Sequence, residues 1–254
     1  MRARTAASAA IAYACLLLAA APARAAEIKV LSGNGARNAI AELCTQFERA
    51  TGHRVNIRFE VNPQLQRKIL EGEAFDVAIL NPPVLDTLIA RGKVVAATRA
   101  VIGRAGIGVG VRAGTPTPDI LTVAAFTRTL LDAGSVAYPE EGASGRYFVS
   151  LLDRLGITSQ MKPRLRPMPG EYNVEIVARG EVDLVVVVAS RIFGVPGVEL
   201  VGRIPQELQT WIGFAGGLGT AAREPDASRA LLRYLTSPSA APVLQAAGIE
   251  PFVE

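Results

Sequence analysis

The sequence predicts an α/β protein of two lobes on three observations. Short apolar runs lead repeatedly through a glycine or Asn-Pro corner into an amphipathic helix, the pattern of βα units on a parallel sheet. Asp183 to Ala189 is almost wholly valine, as suits a central strand covered on both faces. The βα succession is interrupted at the glycine-rich run Val101 to Val111, and a strand pattern returns late, at Trp211 to Leu218. More than one crossing between the lobes follows from that order.

Residues 1 to 25 read as a leader outside the fold. Arg2 and Arg4 precede an apolar run from Ala6 to Ala21, which ends in Pro22 and the small-residue site Ala23-Arg24-Ala25, as a secretory signal does. The run is shorter than the roughly 20 apolar residues of a membrane span. Cys15 lies inside it, ahead of three leucines, and so is not read as a lipid-attachment site. Cleavage after Ala25 or Ala26 removes three arginines and lowers the formal charge from +4 to +1. What remains has no Lys/Arg block for nucleic acid and no second long apolar segment for a membrane. One cysteine, Cys44, survives and falls on an apolar helix face, as a small core residue. With half its residues hydrophobic, the chain is able to rely on its own core without disulfides.

The elements follow in order. Ile28, Val30 and Leu31 predict a buried parallel strand, Ser32-Gly33-Asn34-Gly35 a tight turn, and Ala39, Ile40, Leu43, Cys44 and Phe47 one face of a helix. Two glycines let backbone NH groups approach a ligand, and the open start of the helix favours an anion. Thr51-Gly52 stops the helix. Val55, Ile57, Phe59 and Val61 alternate with polar residues as a half-buried strand, and Asn62-Pro63 reads as an N-cap with proline at the first helical position. Phe75 to Leu80 repeats the strand, and Asn81-Pro82-Pro83 repeats the corner. Ligands collect outside the carboxyl ends of parallel strands, which puts Gly35, Asn62 and Asn81 on one rim.

The glycines at 103, 106, 108 and 110 predict the least packed strand, read either as a crossing between lobes or as room for a close neighbour. Thr122 is expected to cap a helix. Ser135 to Tyr138 is a strand leading through Pro139-Glu140-Glu141-Gly142-Ala143-Ser144-Gly145 into another helix that ends at Gly156. Lys162 to Gly170 is extended, with a helix from about Glu171 to Arg179. Two helices close the chain, Asp226 to Leu235 and Pro238 to Ala247.

Catalytic motifs find little support in this list. Gly33 and Gly35 begin a dinucleotide fingerprint, but Asn38 occupies the third glycine position. Gly142-Ala143-Ser144-Gly145 lacks the nucleophile-elbow spacing, and the only histidine, His53, reads as a solvated turn residue. One histidine and one mature cysteine do not make a usual zinc set. The paired carboxylates Glu140-Glu141, Glu71 with Glu73, and Glu181 with Asp183 have no evident acid/base mate. Helix starts able to hold an anion by backbone NH groups are what remains.

So arranged, the chain resembles the molybdate-binding family of periplasmic ABC-transporter solute-binding proteins. The resemblance rests on the opening strand-turn-helix, Glu48 to Val55 (ERATGHRV), Ile69 to Ile79 (ILEGEAFDVAI), Ala143 to Tyr147 (ASGRY), Arg179 to Asp183 (RGEVD) and Thr236 to Pro238 (TSP), in order and spacing. It implies a type II periplasmic binding protein fold, two α/β lobes with a ligand cleft between them, closing by a hinge. It also implies a periplasmic, monomeric protein with a small anionic ligand, an ABC transporter permease as partner, no cofactor, no metal and no catalysis. The lobes are expected at 26–105 with 212–254, and at 106–211.

The departures from the family fall on the ligand. Gly35 stands where the family has a serine at the first helix start, Asn62 where it has a second serine, and Val188 where it has a tyrosine. Ser144 and Gly170 stand where backbone NH groups donate. Three hydroxyl donors are gone, each worth about 1.5–3 kcal/mol toward a charged group. The expected ligand is therefore an oxyanion held by altered donors or a small carboxylate, bound by Asn34, Gly35, Arg37, Asn62, Ser144, Arg146 and Gly170. Arg37 and Arg146 either pair with that ligand or are ordinary solvated arginines. Gly35→Ser is expected to restore molybdate affinity if only the donor was lost. Two alternatives stand beside transport, a ligand-binding sensor component and a secreted enzyme on the same fold.

Overall fold

The computed structural model describes residues 25–169 and 173–252. Residues 1–24 of the leader, Cys15 among them, and Gly170 lie outside these. Strands β1 (Glu27–Gly33), β2 (Arg54–Glu60) and β3 (Val77–Leu80) run parallel, and each hands the chain to a helix at its carboxyl end. After β1 come a 3₁₀ turn, Asn34–Ala36, and α1 (Arg37–Thr51). After β2 comes α2 (Asn62–Leu70), and after β3 comes α3 (Pro82–Ala90). Helix α1 buries the predicted face, Ala39, Ile40, Leu43, Cys44 and Phe47, and stops at Gly52, whose φ of 75° is the left-handed conformation glycine adopts readily. Burial, reinforced by the charge of Glu48, pushes the Cys44 thiol up to about 12, so this cysteine is an inert core residue. His53 is not the solvated turn residue expected. Its Nδ1 accepts the Ala26 N–H at 3.1 Å and its ring stacks on Phe47 at 5.8 Å.

Strand β4 (Ala100–Arg112) is the axis of the molecule. Ala100–Gly106 pairs antiparallel with β9 (Trp211–Leu218). Ile107–Val111 pairs with β7 (Leu184–Val188), and β8 (Val198–Arg203) and β10 (Glu250–Pro251) join it as well. The expectation of a loosely packed strand is wrong, since from Ile102 to Val111 only Arg104 is exposed. The glycines are there because neighbours come close. A Cβ on Gly103 would lie 2.5 Å from the Glu250 carbonyl oxygen, and one on Gly110 2.8 Å from Val185 Cγ1.

The second lobe adds α4 (Val123–Asp132), β5 (Val136–Pro139), α5 (Ala143–Arg154), α6 (Thr158–Met161), β6 (Leu165–Met168) and α7 (Glu175–Ala178). Helices α8 (Pro225–Leu235) and α9 (Ala241–Ala246) close the chain. Among the described residues the ten strands form one sheet in the order β2-β1-β3-β9-β4-β7-β5-β6, with β8 and β10 off that path on β4. The predicted helix at Glu171 to Arg179 shortens to α7 within its described part. Strand β8 escaped prediction because its residues are only partly covered and alternate weakly, and β10 because two residues carry no period.

Asp76, 5% exposed, ties the first lobe together. Its carboxylate accepts backbone N–H groups from Lys29 (2.8 Å), Arg223 (2.6 Å) and Glu224 (3.3 Å), joining β1 to the start of α8. Asp76→Ala leaves all three donors without an acceptor and is expected to cost about 4 kcal/mol, read as a lowered urea midpoint. Asp76→Asn keeps one acceptor oxygen and is expected to cost less.

Candidate functional site

Side chains draw together the carboxyl ends of β1, β2 and β3. Asn62 Oδ1 accepts the Asn81 N–H at 2.8 Å, and Asn81 Nδ2 donates to the Gly213 carbonyl at 2.9 Å. Asn62 is thus not the N-cap it was read to be. Val61 takes that position in extended conformation, and Asn62 is the first helical residue. Its amide nitrogen would stand 2.6 Å from a Cβ on Gly33, so glycine at 33 is what lets the corner close.

The second lobe faces this rim through the 3₁₀ turn Ala189–Arg191 that follows β7. Ser190 Oγ donates to the Gly35 carbonyl at 2.6 Å, Asn38 Nδ2 to the Phe193 carbonyl at 3.0 Å, and Arg191 Nη1 to Asn38 Oδ1 at 3.3 Å. Further out, Gln64 Nε2 of α2 reaches Glu141 Oε2, in the corner before α5, at 3.1 Å. A groove of about 710 Å³ opens between the lobes, with Arg37, Asn38, Met168, Glu175 and Arg191 among its walls.

Three helix starts near the cleft carry no side-chain cap. Helices α1, α2 and α5 have Ala36, Val61 and Gly142 at their N-caps, none makes a side-chain capping bond, and none has an acidic residue in its first turn. By contrast α4 is closed by Thr122, whose Oγ1 accepts the Ala125 N–H at 3.1 Å, as the sequence predicts. At α1 the Arg37 N–H already bonds the Asn34 carbonyl, and in α2 Pro63 has no N–H and the Gln64 N–H bonds the Val61 carbonyl, so α5 is the start at which N–H groups and the helix dipole most favour an anion.

Of the residues named from sequence, Asn34, Gly35, Arg37 and Asn62 come together at this rim. Asn34 is 1% exposed, its Oδ1 accepts from Arg37 Nη2 at 3.0 Å, and its Nδ2 has no hydrogen-bond partner. The Arg37 guanidinium lies 4.8 Å over the Phe59 ring. Ser144, 2% exposed, sits in the first turn of α5 on the other lobe. Arg146 is exposed, with Nη1 donating to the carbonyl of Glu141. Gly170 lies outside the described residues. Beside this corner the Tyr138 phenol is pushed up, by burial first and then by the charge of Glu140, and stays protonated.

Two further residues escaped the sequence reading. A Cβ on Gly35 would meet Phe214 Cε1 at 2.8 Å and Val188 Cγ1 at 3.7 Å, so the ring of Phe214 fills the space beside the first helix start. Ser190 was findable, because it follows directly on the carboxyl end of the all-valine strand, where ligand groups collect. Phe214 gave no such signal, being one apolar residue of a buried strand.

Residues 28–250 match the family described as bacterial extracellular solute-binding protein. The chain is 35% identical to an aconitate isomerase of a Pseudomonas species over 95% of both chains. It is 24% identical to the molybdate-binding protein ModA of Escherichia coli strain K12, over 87% of this chain and 88% of the other. The periplasmic molybdate-binding protein of Azotobacter vinelandii superposes with a TM-score of 0.73 at 18% identity, covering 87% of this chain and 98% of that one. Together with the sheet order, these neighbours establish the type II periplasmic binding protein fold and the molybdate-binding-like resemblance. The expectation of no catalysis is overturned by the relative that is 35% identical and named as an enzyme. Short motifs missed this because the likeness to that relative runs along the whole chain.

Proposed function

The chain belongs to the bacterial extracellular solute-binding protein family, and from that premise we propose that it takes a small polycarboxylate into its cleft and isomerises it, with aconitate the first substrate to test. The observation that carries this reading is 35% identity to an aconitate isomerase across 95% of both chains. The cleft supports it. Aconitate is an alkene bearing three carboxylates, and donors without acceptors suit it: the uncapped start of α5 and the unpartnered amide nitrogen of Asn34. Phe214 beside Gly35 speaks against a family-like molybdate site, because it fills the space where a serine side chain would project.

The chemistry asks for such donors. A hydrogen on the carbon between the alkene and a carboxylate is acidified by both. Its transfer to a general base spreads negative charge into the carboxylate, and the protonated base returns a proton at the other end of the three-carbon unit, restoring the alkene with a new geometry. Fixed N–H groups that already face the carboxylate stabilise that charge without reorganising. In this reading Asn34, Gly35, Asn62, Ser144, Arg146 and Gly170 border the ligand, and Arg37 stands behind Asn34. The lobes comprise 26–105 with 212–254, and 106–211, and residues 1–25 direct export.

The test is proton NMR of cis-aconitate with the purified mature protein. Steady appearance of the trans isomer, with deuterium entering the product in D₂O, is expected. No interconversion, together with tight binding of molybdate in calorimetry, would sink the reading. A second reading, delivery of the bound carboxylate to an ABC transporter permease, draws on the 24% identical molybdate-binding relative. Finding permease and ATPase genes beside this one would favour it, and finding a histidine kinase gene would favour sensing.

A further inference from the structure

The buried amide of Asn34 is a polar group left half satisfied. Its side chain is enclosed, its oxygen is taken by Arg37 Nη2 at 3.0 Å and Nε at 3.4 Å, and its nitrogen has no partner. A buried donor without an acceptor is rare in folded proteins and asks for a cause. We propose that Arg37 is a positioning residue for the ligand: it holds the Asn34 carboxamide with its oxygen toward the guanidinium, so that the N–H₂ group is kept as a donor for one ligand carboxylate. This rests on reading the cleft as a carboxylate site.

The orientation of the amide follows from donor and acceptor inventory. Flipped, it would set its own N–H₂ against the N–H groups of Arg37, donor against donor, whereas the observed arrangement gives both Arg37 donors an acceptor. Stacking over Phe59 at 4.8 Å keeps the guanidinium plane in place. The amide nitrogen then faces away from Arg37. A cation donating to an amide oxygen also polarises that amide and makes its N–H a stronger donor. Positive charge thus reaches the ligand at one remove. A carboxylate, which only accepts, is the partner such a group takes. Asn34 also immediately precedes Gly35 and Ala36, the cap of a 15-residue helix whose first turn carries no acid of its own.

A double-mutant cycle on the full chain decides it, with trans-aconitate as the calorimetric probe and thermal melts as the check on folding. Asn34→Ala is expected to weaken binding about tenfold to a hundredfold, the range for one hydrogen bond to a charged group. Arg37→Ala is expected to do nearly the same in the native background, and to change binding less than about threefold when Asn34 is already alanine. Arg37→Lys, which retains a cationic donor for Oδ1, is expected to recover most of the loss, and it serves as the test should the alanine variant fail to fold. Kinetically the Arg37 variants are expected to raise KM for aconitate more than they lower kcat. Full, additive loss from Arg37→Ala on the Asn34→Ala background would mean that Arg37 touches the ligand directly, and would overturn the proposal while leaving the carboxylate reading intact. If the native protein binds molybdate or sulfate but no carboxylate, that reading fails, and the same cycle on the bound oxyanion still decides the role of Arg37. Binding of none of these anions overturns both.

Discussion

Gly145→Ala is expected to be among the most damaging single-methyl additions in this protein, lowering stability by about 3 kcal/mol or more and the melting temperature by roughly 6–12 °C. A Cβ there would stand 1.7 Å from the Pro139 carbonyl oxygen and 2.6 Å from its carbon, both backbone atoms of the strand that leads into α5. No rotamer relieves an overlap with backbone, so the strand end and the helix start have to separate. Gly52→Ala is the control. There the cost comes only from a φ of 75° with nothing within 4 Å, and about 1 kcal/mol is expected. Because Ser144 rides on the displaced turn, Gly145→Ala is also expected to weaken aconitate binding by at least tenfold, which calorimetry reads directly.

Gly35→Ser is the second large effect, and its expected sign is the reverse of the one read from the sequence. There the missing hydroxyl suggested that serine would restore molybdate binding. In the folded protein the added Cβ would meet Phe214 Cε1 at 2.8 Å, and Phe214 is itself 3% exposed, with little room to swing. The Gly35 carbonyl is held by Ser190 at 2.6 Å, so the turn cannot easily back away either. Overpacking of this kind costs about 1–3 kcal/mol. The single variant is expected to lose carboxylate affinity and gain none for molybdate. Gly35→Ser is expected to cost less stability on a Phe214→Ala background than in the native protein, because the collision is gone. Molybdate binding by the single variant, at native stability, would show that Phe214 moves aside and that the site kept the family's geometry.

Much of the architecture was legible because it depends on neighbours in sequence. The period of Ala39, Ile40, Leu43 and Phe47, the proline corners at Pro63 and Pro82, the cap at Thr122 and the valine run of β7 are local signals, and the structure follows each of them. Their order along the chain is what identified a doubly crossed α/β fold. Even the tie between Arg37 and Asn34 joins residues three apart, although nothing in the sequence said which way the amide would turn.

The remainder depended on contacts between distant parts of the chain. Phe214 comes from the returning strand to fill the space beside Gly35, Ser190 crosses from the other lobe to the Gly35 carbonyl, and Asn62 gives up its expected capping role to hold Asn81. The sequence by itself determined most of the strands and helices, the weakly alternating β8 and the two-residue β10 excepted, and the βα order that builds two lobes around a cleft, because periodicity and corner chemistry act within a few residues. Only the tertiary structure decided which side chains fill that cleft and which donors are left open, because burial and hydrogen-bond satisfaction are settled between residues that the chain order keeps far apart.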